Sequence, residues 1–255
     1  MTVGLQRRGS VAVITLDRPE ARNAIDGRMA LAMERCLDEL EAADDLQVGI
    51  VFHTGTVFSA GADLKAVARG ERDAIKTDRG GFAGLERRTR AKPLIAAVEG
   101  AALGGGCEIA LACDLVVAST AARFGLPEVR HGVLATSGGV TRLTWAVPPR
   151  IAMEMILTGE PIDAGRAADL GLVNRVVAPG QALAEALVLA GLIARNAPLS
   201  VRASRRLVVE AATHGDEARL RRLIDAEWEG LFASEDYLEG PRAFTEKRPP
   251  VWKGR

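Results

Sequence analysis

Pro93-Leu94-Ile95-Ala96-Ala97-Val98-Glu99-Gly100-Ala101-Ala102-Leu103-Gly104-Gly105-Gly106-Cys107-Glu108 is the stretch on which the fold turns. It begins as an apolar run of strand length and ends in a glycine cluster that opens a helical run, Cys107 to Cys113. A second apolar run, Leu115-Val116-Val117-Ala118, follows directly. Strand, helix and strand with near-continuous apolar strands is the pattern of a sheet covered on both faces, so the fold class is α/β.

Working upstream, Val48-Gly49-Ile50-Val51-Phe52-His53 and Val11-Ala12-Val13-Ile14-Thr15-Leu16 read as further strands, the latter ended by Asp17-Arg18-Pro19. Between them Asp26 caps a helix whose apolar positions Met29, Met33, Leu37 and Leu40 recur at three and four residues. A glycine-bearing loop, Gly55 to Gly61, leads to Asp63, which starts another helix. Downstream, from about Ser137, helical periodicity takes over near 137–146, 149–157, 163–170, 181–195, 199–212, 216–232 and 234–247. Only Leu172-Val173-Asn174-Arg175-Val176-Val177 reads as a strand there. The expected organisation is an α/β core over residues 1–195 and a helical C-terminal portion over 196–255, ending where Pro249 and Pro250 forbid further helix.

The 255 residues are 48% apolar and 26% charged, ordinary for a globular protein. Lys plus Arg and Asp plus Glu both number 33, so no global field recruits nucleic acid or an anionic membrane. Cys36, Cys107 and Cys113 lack paired metal-ligand spacing and read as small buried thiols. The N-terminus has neither signal-peptide nor transit-helix character, and no long apolar span occurs, so the expected location is cytoplasmic.

Glu108 and Glu128, the latter in a Phe124-Gly125-Leu126-Pro127-Glu128 loop, each adjoin glycine-rich, mostly uncharged sequence, a costly setting for a carboxylate. Paired carboxylates near N–H groups freed by glycines are what acid/base chemistry on a carbonyl compound needs. Gly104-Gly105-Gly106 at a helix start suits a developing negative charge, or simply tight helix–strand packing. Glu108 in the first turn can instead compensate the helix dipole, and Glu128 can be a solvated turn residue. Phe58-Ser59-Ala60-Gly61-Ala62-Asp63-Leu64-Lys65 is a second loop able to supply a donor, with Asp63 an N-cap and Lys65 facing either a phosphate or solvent. Asp114, at the entry to an apolar strand, fits a structural hydrogen bond. Ala135-Thr136-Ser137-Gly138-Gly139 half-resembles a nucleophile elbow near His131, but lacks the first glycine and a preceding strand; Ser137 fits a helix cap better. His53 and His214 read as structural or solvated, and Glu86-Arg87-Arg88-Thr89-Arg90 as a solvated helix face.

These residues together resemble the crotonase family, the enoyl-CoA hydratase/isomerase superfamily, over nearly the whole chain. The matching stretches run from Asp17-Arg18-Pro19 to Asn23-Ala24, then Phe58 to Lys65, Gly100 to Asp114 and Phe124 to Glu128. Thr158-Gly159, Gly171 to Asn174 and Pro241-Arg242-Ala243-Phe244 continue the match. The resemblance implies a spiral of β-β-α turns with a helical C-terminal trimerisation portion, assembled as a homotrimer or dimer of trimers. It implies an acyl-CoA thioester substrate, its carbonyl held between the N–H groups of Ala62 and Gly105. Coenzyme A, part of the substrate rather than a separate cofactor, would run past Arg22 and Ala24 and past Ala60, Ala62, Asp63, Leu64 and Lys65. Neither a metal nor a nucleic-acid partner is implied. Retention of both Glu108 and Glu128 favours reversible hydration of a 2-enoyl-CoA over isomerisation alone; a silent acyl-CoA-binding subunit is the non-enzymatic alternative. Straight-chain hydratases often carry Pro-Gly-Ala-Gly-Gly where this chain has Ala135 to Gly139, and Ser137-Gly138-Gly139-Val140 with Pro148-Pro149 looks more like the carnitinyl-CoA dehydratase branch. Residues 66–92, which in this family help line the acyl pocket, are glycine-bearing and charged and read as mobile.

Overall fold

In a strand successive side chains point to opposite faces, and both faces of the central strands here are apolar. Val11, Val13, Val48, Ile50, Ile95, Ala97 and Val117 form one buried cluster, while Ala12, Ile14, Leu16, Val51, Ala96, Val98 and Ala118 belong to the other. Two layers must therefore cover this sheet. The computed structural model describes residues 2–71 and 73–255, apart from the side chain of His214, so the expectation for that histidine lies outside the described residues.

The chain enters as an antiparallel hairpin, β1 (Val3–Arg8) and β2 (Val11–Leu16). Helix α1 (Gly27–Ala42) follows, with the Asp26 side chain accepting from Met29 N–H as expected. The first spiral turn is β3 (Val48–His53), β4 (Val57–Ser59) and the short α2 (Leu64–Ala68). A connecting segment carries the small hairpin β5 (Lys76–Thr77) and β6 (Gly81–Phe82). The second turn is β7 (Leu94–Val98), β8 (Ala101–Leu103) and α3 (Gly105–Ala112). The third opens with β9 (Leu115–Ser119) and β10 (Arg123–Gly125), then a 3-10 turn over Pro127–His131. After it come α4 (Gly139–Ala146), α5 (Pro149–Thr158), β11 (Ile162–Asp163), α6 (Ala164–Asp169) and β12 (Arg175–Val177). Four helices finish the chain: α7 (Ala182–Ala194), α8 (Pro198–His214), α9 (Glu217–Phe232) and α10 (Glu235–Glu246).

The long strands of successive turns align as β1-β2-β3-β7-β9-β12, and the short ones as β11-β10-β8-β4. Helix α7 covers the outer face of the first sheet through Ala182, Ala186 and Ala190. Its start is fixed by Glu99, whose carboxylate accepts from Gly180 N–H at 2.8 Å and Ala182 N–H at 2.7 Å. Turns stack closely enough that a Cβ on Gly106 would collide with the Ser59 carbonyl of the turn before.

The sequence pattern places most elements within a residue or two, but three expectations change. Only Arg175–Val177 of the run 172–177 is strand, because Leu172 N–H and Val173 N–H both turn back to the Ala167 carbonyl at the end of α6. Glu86 to Arg90 is not helical, and its arginines are not simply solvated: Arg88 meets Asp38 at 2.6 Å and Arg90 is buried against Asp114 at 2.8 Å. Ser137 does not cap α4, which Gly138 opens without a side-chain cap.

Candidate active site

Asn23 anchors the first wall of the site. It is fully buried in a left-handed conformation (φ 51°), accepts from Arg18 N–H, and donates to the carbonyls of Thr54 and Val57. Its own carbonyl receives the Ser59 hydroxyl at 2.8 Å, and Ser59 Oγ in turn accepts from Gly61 N–H at 3.1 Å. Ile25 N–H donates to the Gly61 carbonyl at 2.7 Å. A trans peptide directs its N–H opposite to its C=O, so Ala62 N–H points away from Ile25 and into the site. Asp63 caps α2 through Lys65 N–H and Ala66 N–H and pairs with Arg18 at 2.8 Å, which holds its carboxylate below the usual range despite burial. That carboxylate is therefore committed to the fold.

The second wall is the start of α3. The Gly104 carbonyl accepts from Glu108 N–H at 3.1 Å, so Gly105 N–H, on the same peptide, points out of the helix N-terminus. Among the described residues neither Ala62 N–H nor Gly105 N–H donates to a protein acceptor. The two walls touch here: a Cβ on Gly61 would lie 2.6 Å from Gly105 N, and one on Gly105 would lie 3.1 Å from Gly61 Cα and 2.5 Å from Phe82 Cζ. Two free donors at backbone contact can hold a carbonyl oxygen as it gains charge.

Glu108 is only 4% exposed. Its Oε1 accepts from Ser137 N–H at 2.7 Å and Gly139 N–H at 3.0 Å. Burial, with help from the charges of Glu128 and Glu86, outweighs those bonds and pushes its carboxyl up to about 7. Glu128 stands in the 3-10 turn rather than in the expected loop. Its Oε1 lies 3.3 Å from where a Gly104 Cβ would be, and its buried Oε2 has no partner among the described residues. Burial raises its carboxyl as well. Two carboxyls, both raised from their ordinary values, thus lie beside the paired donors.

Of the other residues marked in the sequence, Arg22, Ala60, Leu64 and Lys65 are exposed along the rim of the first wall, and Ala24 is buried beneath it. Asp114 has the structural role expected, accepting from Arg90, Arg205 and Leu94 N–H. The cysteines are free thiols, and burial pushes Cys107 well up. Sequence reasoning missed Ser137 N–H and Gly139 N–H as the holders of Glu108; the Gly138-Gly139 pair was the available signal. It also missed Phe82 against Gly105, for which no pattern existed. A cavity of about 930 Å³ between α8 and the body touches Glu86 and Arg142 but neither glutamate of the pair. The chemistry, not this hollow, locates the site.

A family model described as enoyl-CoA hydratase/isomerase matches residues 6–255. The chain is 43% identical over 256 residues to a carnitinyl-CoA dehydratase of Salmonella typhi, covering 98% of each. Its structure matches that of an enoyl-CoA hydratase from Mycobacterium tuberculosis H37Rv with a TM-score of 0.95 at 41% identity, covering 100% of this chain and 99% of the other. It matches a carnitinyl-CoA hydratase from Mycobacterium avium with a TM-score of 0.78 at 45% identity, over 100% and 99% of the two chains. With the spiral of stacked turns and the paired carboxyls beside two free N–H groups, these matches establish that the chain belongs to the enoyl-CoA hydratase/isomerase, or crotonase, family.

Proposed function

We propose that this enzyme adds water reversibly across the 2,3 double bond of a 2-enoyl-CoA. The observation that carries the reading is the pair of raised carboxyls, Glu108 buried and Glu128 half-buried, beside the N–H groups of Ala62 and Gly105, which have no partner among the described residues. The thioester oxygen accepts from both N–H groups, which makes C3 electrophilic and stabilises the enolate as charge moves onto the oxygen. Each donor is worth on the order of 3 kcal/mol in the transition state. Ionised Glu108 takes a proton from the water that bonds to C3, and protonated Glu128 gives one to C2. The reverse sequence expels water. Well-placed acid and base groups contribute roughly 10²–10⁴-fold each.

Coenzyme A runs along the exposed rim past Arg22 and Ala60 to Lys65, above buried Ala24, with Asp63 contributing backbone only. The substrate's acyl portion is either a simple enoyl chain or one like that of the carnitinyl-CoA dehydratases; the 43% identity to the Salmonella enzyme favours keeping the second reading. The assembly is a trimer or dimer of trimers, supported by exposed Trp228, Phe232, Leu238 and Phe244 on α9 and α10. Loss of 2-enoyl-thioester absorbance with crotonyl-CoA, a longer enoyl-CoA and crotonobetainyl-CoA tests the proposal. Hydration of one of these, abolished by either Glu108→Gln or Glu128→Gln, is expected. Turnover without addition of water's mass, persisting in Glu108→Gln, would transfer the enzyme to double-bond isomerisation. Binding of the thioesters without turnover would make it a silent subunit.

A further inference from the structure

Glu108 is held by a turn, and the turn is held by a cation. Ser137 N–H and Gly139 N–H both donate to Glu108 Oε1. Between them Gly138 has φ 89°, a left-handed conformation that turns the two N–H groups the same way. The side chain of Arg142, one helical turn on, folds back over Gly138, where its Nη1 fills the space a Cβ would need. Its backbone N–H donates to the Gly138 carbonyl at 2.8 Å, and its Nη2 donates to the Glu86 carbonyl at 2.7 Å. Arg142 therefore bolts the 135–139 turn to the segment whose Phe82 ring packs on Gly105.

We propose that Arg142 is a positioning residue for Glu108: it braces the turn that holds the carboxylate and places a fixed positive charge behind it. The inference rests on the reading of Glu108 as the base that activates water. A guanidinium suits this post because it stays charged where a lysine would lose its proton and because it can pack over Gly138 while donating to the Glu86 carbonyl. Arg142 is half-buried, and burial together with Arg90 works against its charge, while Glu86, Glu108 and Cys113 work for it. Glu108 in turn faces Glu128 from the 3-10 turn, Glu86 from the segment before β7, and buried Cys107 on its own helix. Each of these neighbours on Glu108 is anionic or neutral, whereas Arg142 on α4 is a cation whose charge Glu108 supports. Without that charge, two carboxylates and the surrounding burial favour a protonated Glu108, which cannot accept a proton from water.

The test titrates Glu108 directly in the full-length enzyme. Protein labelled with ¹³C at glutamate carboxyls gives a Glu108 resonance, identified by its absence in Glu108→Gln. Its midpoint is followed in wild type, Arg142→Met and Arg142→Lys, beside the pH profile of kcat/KM and the Tm. In Arg142→Met the midpoint is expected to rise by about one pH unit, the low end of the effect of removing an adjacent opposite charge. The acid limb of kcat/KM should follow it, with KM little changed and kcat lower. Arg142→Lys should bring the midpoint back toward wild type below the pH at which the lysine deprotonates, without restoring the bridge to Glu86. A folded Arg142→Met, or Arg142→Lys if the former does not fold, whose Glu108 titrates as in wild type overturns the proposal. A purely structural arginine would lower the Tm and leave the midpoint in place. Should wild type fail to hydrate any enoyl-CoA, the functional reading falls, but the titration still decides what Arg142 does to Glu108.

Discussion

Replacing Gly61 with alanine should disable the enzyme far more than it destabilises it. Gly61 has φ +88°, and a left-handed alanine costs on the order of 1–2 kcal/mol. The added methyl would lie 2.6 Å from Gly105 N, 3.2 Å from Gly105 Cα and 3.2 Å from the Leu103 carbonyl oxygen. All three are backbone atoms, so no side chain can swing away. Nonbonded carbon and nitrogen prefer roughly 3.5 Å, so the two walls must part by about 1 Å. A displacement of that size at reacting groups costs about 10²-fold in rate, similar to losing one oxyanion donor. The expectation is a kcat for enoyl-CoA hydration reduced by about 10²–10³-fold, with stability to urea lower by only about 1–3 kcal/mol. Gly9→Ala is the control: its φ is +59°, nothing lies within 4 Å of the new methyl, and it sits in the β1–β2 hairpin. It should share the backbone cost and keep wild-type kcat. A folded Gly61→Ala enzyme working within about threefold of wild type would refute the claim that the contact between Gly61 and Gly105 sets the donors.

Glu108→Gln should stabilise the protein at alkaline pH. Folded Glu108 titrates at about 7 against 4.5 for the free group, so its contribution is fully present below 4.5 and is lost as pH rises through 7. The variant's advantage in urea should grow from near zero at pH 4.5 to on the order of 3 kcal/mol at pH 8.5; a pH-independent difference would contradict this. Asp114→Ala should cost about 3–5 kcal/mol because it strands buried Arg90 along with Arg205, against little or no change for Arg7→Ala at an exposed pair, both read by urea denaturation. The folded Asp114 carboxyl is depressed, so this difference should shrink as pH falls through that lowered value. Lys92→Met should cost about 1–3 kcal/mol, since its buried ammonium donates to the Leu40 and Ala43 carbonyls at the end of α1 and methionine leaves both unpaired. A Tm unchanged in that variant would show that water replaces the ammonium.

What the sequence made legible follows from how locally each feature is determined. The long strands β2, β3, β7 and β9 bury both faces, and their apolar runs are visible without knowing their partners. The C-terminal helices carry their own periodicity, and Asp26 and Asp63 cap helices by contacts within three residues. The strands β4, β8 and β10 are three residues each and exist because successive turns stack; a three-residue run has too few alternations to read. Glu108 and Glu128 stood out because a carboxylate beside glycines needs a reason. Their surroundings did not: Ser137 N–H reaches Glu108 from 29 positions away, and Phe82 reaches Gly105 from a segment with no pattern of its own. Arg88 and Arg90 looked like a solvated run because their partners, Asp38 and Asp114, lie on α1 and beyond α3.

Glu108 and Asp114 bracket the same helix and are both withdrawn from water, yet burial leads them to opposite ends of the carboxyl range. Asp114 receives two guanidinium groups and a backbone N–H, which more than offset its desolvation and hold it ionised. Glu108 receives two N–H groups, which do not offset its burial and the repulsion of Glu128. The fold had an arginine within reach in each case. At Asp114, Arg90 and Arg205 make direct contact; behind Glu108, Arg142 is kept one dipeptide away by Gly138 and Gly139. Direct contact would have fixed the charge of Glu108 and removed its capacity to take a proton near neutrality. The same cation at one remove supports the ionised form without locking it, and that separation marks off the carboxylate that stabilises from the one that reacts.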